Sequence, residues 1–225
     1  MQDKRAVNLN QPLRVLFEDD DVLAVDKPEH MAAIADRQGR GDDLFSIISR
    51  DRSDRLFVVH RLDREVSGVI LFAKHAEAHR SLNEQFSQRC VAKCYRALVH
   101  GCPEHEVGRL SFALRQFGSG RMGVDETRGK ACLTNYRVLE KNEAFSQVEV
   151  HPVTGRRHQI RVHLYAAGFP IVGDPLYGDK QVQSGYARLM LHAASISLTA
   201  PSGNTLEVSS PIPVSYRQLL EHLTK

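Results

Sequence analysis

Val58-Val59-His60-Arg61-Leu62-Asp63-Arg64-Glu65-Val66-Ser67-Gly68 runs directly into Val69-Ile70-Leu71-Phe72-Ala73. The two valines begin one strand and the apolar pentapeptide is a second, so the polar residues between them form a loop carried by two buried strands. A carboxylate between Arg61 and Arg64 at a sheet edge is partly shielded and held ionised by its neighbours. That environment suits a nucleophile or a general base, and it suits a surface ion-pair cluster equally well.

Working outward, Arg14–Pro28 reads as a hairpin: two Val/Leu runs separated by Glu18-Asp19-Asp20-Asp21 and closed by Pro28. A polar stretch over Glu29–Asp43 leads to a short apolar helix with Leu44, Phe45, Ile47 and Ile48. Beyond the loop, Ala78, Leu82 and Phe86 recur at i, i+4 and i+8, the stripe of a helix over His75–Gln88 lying on a sheet. Tyr95–His100 is a strand. Gly108–Lys130 reads as short strands and basic loops, followed by strands at Thr134–Leu139 and Ser146–Val150. A helix is predicted over Arg157–Ala167, with Ile160, Leu164 and Ala167 as its core face and Arg161 one turn from His158 and Tyr165. Leu189–Leu191 and Ser195–Leu198 are strand-like, a turn sits at 201–204, and Leu219, Leu220 and Leu223 belong to a terminal helix. Strands outnumber helices in mixed order, which predicts an α+β fold with a largely antiparallel sheet.

At 225 residues with 42% hydrophobic and 25% charged side chains, the composition excludes disordered, collagen-like and coiled-coil chains. A single domain over 1–225 is expected, with 1–13 as a flexible extension. No apolar run approaches the roughly 20 residues of a membrane helix, and the first residues are too polar for a signal peptide. Cys90, Cys94, Cys102 and Cys132 are unevenly spaced, which reads as reduced thiols in a cytoplasmic protein. Residues 1–50 carry net charge −3 and the remainder +6, and 22 of the 30 basic residues are arginine. Arginine's planar fork pairs with phosphate and stacks on bases, so the balance leans towards a nucleic-acid partner. No sustained heptad or apolar surface helix points beyond a monomer.

Two motif matches are weighed and set aside. Gly118-Ser119-Gly120-Arg121-Met122-Gly123 spells a dinucleotide fingerprint, but no helical face follows it, so it reads as a flexible basic loop. No Walker sequence appears, so no nucleotide cofactor is expected. His75 and His79 have metal-ligand spacing but no third ligand, and they read as solvent-exposed histidines rather than the centre of a metal-dependent hydrolase. No metal and no cofactor are expected.

Four blocks together resemble the RluA family of RNA pseudouridine synthases. HRLDREVSG resembles the segment bearing the catalytic aspartate, here Asp63, with His60 and Arg61 beside it as active-site support. KCYRALVHG resembles the segment whose tyrosine packs on the target base, here Tyr95. TGRRHQIRVHL with GFPIVGDPLYG resembles the segment whose arginine pairs with the aspartate, here Arg161. RLMLHA places the apolar base-contacting residue at Leu191, and the opening hairpin supplies the family's Lys-Pro as Lys27-Pro28.

The resemblance implies a mixed, largely antiparallel sheet flanked by helices and loops around a central catalytic cleft. It implies cofactor-free isomerisation of uridine to pseudouridine in structured ribosomal or transfer RNA, with Arg61 filling the space left by a flipped base. Arg109, Arg115, Arg121, Arg128, Arg156 and Arg157 are expected to contact phosphates. The small RNA-binding domain that many relatives carry at the N-terminus is expected to be missing. Val66 stands where the family has Thr, and Glu29-His30 where it has a small residue plus Gly. These departures are the support for a second reading, a non-catalytic RNA-binding protein or RNA chaperone that retains the fold.

Overall fold

The computed structural model describes residues 13–35, 43–50 and 52–224. The extension expected over 1–13 lies outside the described residues apart from Leu13, as does part of the polar stretch before Asp43.

The hairpin forms as the sequence requires. β1 (Val15–Glu18) pairs antiparallel with β2 (Val22–Lys27), and the Asp19 carboxylate closes the turn by accepting the amides of Asp21 and Val22 at 2.9 and 2.7 Å. α1 (Leu44–Arg50) and β3 (Phe57–Val58) precede the HRLD loop, and β4 (Ser67–Ala73) leaves it with every residue buried. α2 (Ala76–Gln88) begins at His75, whose side chain accepts the Ala78 amide as an N-cap, and ends at Arg89 in the left-handed conformation. Next come β5 (Ala92–His100), β6 (Val107–Leu110), β7 (Ala113–Gln116), β8 (Met122–Val124), β9 (Lys130–Ala131), β10 (Thr134–Lys141) and β11 (Phe145–Pro152). α3 (Gln159–Ala166), α4 (Lys180–Gln183), β12 (Leu191–Thr199), β13 (Thr205–Ser209) and α5 (Val214–Thr224) complete the described chain. The α+β class and the mostly antiparallel pairing agree with expectation.

The residues cluster into two compact units, Met1–Ala92 with Ala193–Pro211, and Lys93–His192 with Ile212–Lys225. In the first unit the strand order is β1-β2-β4-β12, with β3 on β4 and β13 on β12. Its two cores lie on opposite faces of β2 and β4, because alternate residues of a strand point to opposite sides. Val22, Ala24, Val69 and Leu71 pack with Ala78 and Leu82 of α2 and with Ile196, Leu198 and Val208. Leu23, Val25, Ile70 and Phe72 pack with Met31, Leu44 and Leu56. Each buried Leu, Ile or Val side chain contributes about 1.5–3 kcal/mol.

The second unit orders its strands β5-β11-β10-β6 and carries a separate three-stranded sheet, β8-β7-β9. α3 packs against that small sheet through Leu114, Met122, Cys132, Val162 and Tyr177.

Four expectations are corrected. The two strand-like runs near the C-terminus are the single strand β12, with Leu189 and Met190 preceding it, and β13 and α4 were not anticipated. α3 has no single core face: Gln159 to Leu164 are all buried, including Arg161 and His163, while Ala167 is only partly buried. The glycine-rich string is the turn and second strand of the β7–β8 hairpin, closed by the Phe117 amide on the Arg121 carbonyl at 2.9 Å. His75 and His79 are half-buried rather than solvent-exposed. Capping holds the first, whose Nε2 also lies 2.8 Å from Asp21, and stacking on Phe57 holds the second, whose Nε2 lies 3.1 Å from the Val58 carbonyl.

Candidate active site

The HRLD loop is fixed at several points within the first unit. His60 turns inward: its Nε2 accepts the Leu71 amide at 3.0 Å and its ring stacks on Phe86 at 5.1 Å. This makes His60 a loop anchor, with Nε2 as the unprotonated nitrogen. Leu62 and Val66 are buried, and the Val66 amide donates to the Asp63 carbonyl at 3.1 Å, which tightens a turn around the carboxylate. Asp63 itself is half-buried, whereas Arg61 and Arg64 are exposed. The Val66 side chain is thus buried at the position where the resemblance leads one to expect threonine.

Lys27, fully buried at the end of β2, donates from Nζ to the carbonyls of Pro28, Met31 and Arg64 at 2.8, 2.7 and 3.2 Å. Its third acceptor belongs to the residue that follows Asp63, so a buried cation ties the hairpin to the loop. Arg64 Nε reaches back to the His30 carbonyl at 3.0 Å. His30 has φ 63°, the left-handed conformation that glycine adopts without strain, at the position where the resemblance leads one to expect glycine. Gly68 ends the loop at φ 116°, and a Cβ there would lie 2.2 Å from the Ala193 carbonyl oxygen, so no other residue fits.

In the second unit, Tyr95 lies half-buried on β5, its backbone paired with Val150. Leu191 is buried at the start of β12, and the preceding chain is tied to β5 by the Leu98 amide on the Met190 carbonyl at 3.1 Å. The Val172 amide on Leu98 and the Met190 amide on Val172, both 2.9 Å, join the FPIVGD segment to the same frame.

Arg161, 1% exposed, is clamped by an acid that the sequence reading quoted but did not single out. Its Nε and Nη2 donate to the two oxygens of Asp174 at 2.8 and 2.7 Å. Asp174 Oδ1 also accepts the amides of Leu176 and Tyr177 at 2.9 and 3.2 Å. Gly173 makes the bend possible, because at φ 74° a Cβ would stand 1.9 Å from the Arg188 carbonyl oxygen. The only sequence signal was the Gly-Asp pair itself, thirteen residues beyond Arg161.

The six arginines expected at phosphates are divided among different elements. Arg109 is exposed on β6, whereas Arg115, Arg121 and Arg128 belong to the three-stranded sheet and its loops. Arg115 is ion-paired with Asp125 at 2.7 Å and lies over Phe117 at 4.4 Å. Arg121 and Arg128 are exposed, as are Arg156 and Arg157 just before α3.

Among the described residues, Cys94, Glu149 and His151 place three potential metal-ligand atoms within 4.8 Å of one another. Glu149 already binds Arg96 at 3.0 Å, Arg137 at 2.9 Å and His151 at 3.1 Å. Two guanidinium groups on the cluster's one carboxylate oppose a divalent cation, so the cluster is an ion-pair network.

Comparison with known proteins follows this geometry. Residues 21–166 match the family described as RNA pseudouridylate synthase. An uncharacterised RNA pseudouridine synthase of Zymomonas mobilis is 35% identical over 212 residues, covering 92% of this chain and 96% of that protein. Ribosomal large subunit pseudouridine synthase C of Escherichia coli is 36% identical, covering 93% of this chain and 69% of that protein. The solved structure of human RNA pseudouridylate synthase domain containing 1 superimposes with a TM-score of 0.76 at 29% identity, over 94% of each chain. The chain belongs to the RNA pseudouridylate synthase family, within the RluA group whose sequence blocks it carries.

Proposed function

We propose that this chain isomerises uridine to pseudouridine in structured RNA with Asp63 as the catalytic residue. The observation that supports this most directly is the way Lys27, Val66, His60 and Gly68 hold the Asp63 loop: a half-buried carboxylate is presented on a preorganised turn. In the reaction the N1–C1′ bond breaks with its electron pair leaving on uracil, the base turns, and C5 bonds to C1′. C5 then loses its proton and N1 gains one, so atoms and electrons balance without oxidant or reductant. Asp63 acts as a carboxylate, either attacking C1′ or removing the C2′ proton.

The resemblance of the sequence blocks assigns Arg161 to orient that carboxylate, Tyr95 to stack on the base, Leu191 to close the apolar side and Arg61 to fill the gap left by base flipping. Arg109, Arg121, Arg128, Arg156 and Arg157 are assigned to phosphates. Arg115 is assigned more weakly, because Asp125 already neutralises it. The Escherichia coli relative's name makes large-subunit ribosomal RNA the first substrate to try.

The test is a pseudouridine map of total RNA from cells with and without the gene, rescued with the parent chain or with Asp63→Asn. A site lost on deletion, restored by the parent and not by Asp63→Asn supports the assignment. Restoration by Asp63→Asn would sink it.

A further inference from the structure

Tyr177 is almost fully buried, yet it touches two arginines to which the proposed function gives different tasks. The Arg161 guanidinium carbon lies 5.3 Å from its ring centroid and that of the exposed Arg121 lies 4.9 Å away. The phenol is held as well: His158 Nδ1 is 2.9 Å from the hydroxyl, and the Met122 backbone hydrogen-bonds it from β8. Burial pushes the phenol's pKa up, so the hydroxyl stays protonated. His158 sits at φ 53° at the head of α3, a strained conformation for a non-glycine residue. One side chain therefore connects α3, the Gly173-Asp174 bend and the β7–β8 hairpin.

We propose that Tyr177 is a positioning residue for turnover: its ring couples the RNA-gripping β7–β8 hairpin, through Arg121, to the Arg161 guanidinium. Asp174 holds one edge of Arg161, and the Tyr177 ring lies against the guanidinium face. Asp174 Oδ1 accepts the Tyr177 amide, so the group that grips the edge also sets the group that meets the face. Arg121 sits on the hairpin just before Met122, which is packed in the same small core as Tyr177. A phosphate that neutralises Arg121 relieves its repulsion with Arg161 across the shared ring. RNA engagement thereby tightens the stack that orients Arg161. This inference rests on the proposed roles of Arg161 and Arg121.

The experiment is a double-mutant cycle with Arg121→Gln, Tyr177→Leu and the pair. The substrate is total RNA labelled with tritium at uracil C5, taken from cells lacking the gene, because bond formation at C5 releases that tritium to water. Rates are measured at saturating protein, so that affinity drops out. Each single change is expected to lower the rate roughly ten-fold, the scale of one or two partly desolvated cation–π contacts. The double variant is expected to be no slower than Tyr177→Leu.

Multiplicative effects, or a Tyr177→Leu change confined to RNA affinity, would overturn the coupling. Should Tyr177→Leu fail to fold, Tyr177→Phe keeps the ring. It must then retain the rate within about three-fold and stay sensitive to Arg121→Gln; insensitivity overturns the proposal. Asp63→Asn, run in parallel, separates the two conclusions. An active Asp63→Asn protein defeats the catalytic assignment, whereas an inactive one beside multiplicative Arg121 and Tyr177 effects defeats only the coupling.

Discussion

Asp174→Ala is the most informative single change to the second unit. It removes two charge-assisted bonds to Arg161 and the acceptor for two backbone amides, all at a carboxylate that is 1% exposed. Bonds to a charged group contribute about 1.5–3 kcal/mol each, but the arginine and the amides recover part of that by relaxing. Removing one member of a buried ion pair costs about 3–5 kcal/mol, which is the expected loss here. For a chain of this size that is a fall in Tm of roughly 6–20 °C. Urea denaturation followed by circular dichroism gives the free energy, with the slope checked for two-state behaviour. A loss below about 1 kcal/mol would refute the reasoning, since it would mean that the clamp is not buried as described. The pair Arg161→Met with Asp174→Leu separates stability from chemistry. It is expected to regain only part of the stability, because the apolar pair carries no charge-desolvation cost but offers no acceptor to the Leu176 and Tyr177 amides, while turnover stays lost.

Three further outcomes follow from the described contacts. Lys27→Met removes the donor to three carbonyls and is expected to lose about 2–4 kcal/mol and to lower turnover more than about ten-fold; a variant as active as the parent would dissociate Lys27 from the Asp63 loop. His30→Gly is expected to be more stable than His30→Ala by about 1 kcal/mol, because both lack the imidazole and only alanine is strained at this φ; equal denaturation midpoints would contradict the left-handed assignment. Burial lowers the pKa of His163 and of His100, so the unfolded chain binds more protons than the native one between their folded values and the ordinary histidine pKa of about 6.5. Their contribution is complete above about pH 6.5 and is lost as the pH falls, so melting should shift downward below that point, and His163→Gln should flatten the slope; a Tm independent of pH between 5 and 7 would count against it.

The parts of this molecule that were legible in its sequence are those where burial falls on one side or on both sides of a strand. The hairpin, the wholly buried β4 and the Ala78-Leu82-Phe86 stripe of α2 all follow directly from period or from an unbroken apolar run. α3 was harder because polar side chains lie inside it. Gln159 is satisfied by Thr154, Thr134 and the Leu133 carbonyl, Arg161 by Asp174, and His163 Nε2 lies 3.2 Å from the Phe112 carbonyl. No periodicity announces a polar residue whose partner is distant in sequence. β13 was missed because only Leu206 and Val208 face inward, and α4 because one turn carries no pattern. Asp63 and its loop were readable as a site, whereas the inward turn of His60 depends on Leu71 and Phe86, which only the folded chain brings to it.

The unit boundary inside β12 bears on how the chain is made. The first unit takes its opening ninety-two residues and then nothing until Ala193, so a nascent chain emerges from the ribosome with β4 and α2 complete but Ile196, Leu198 and Val208 still unmade. Until they arrive, the edge of β4 that pairs with β12 has no strand beside it, and the core that Val69 and Leu71 share with α2 is incomplete. Such non-local closure slows folding and leaves adhesive surface exposed in the interval. A stop codon anywhere before β12 would therefore yield an aggregating fragment rather than a folded half, and neither unit can be cut out of this gene as one uninterrupted segment.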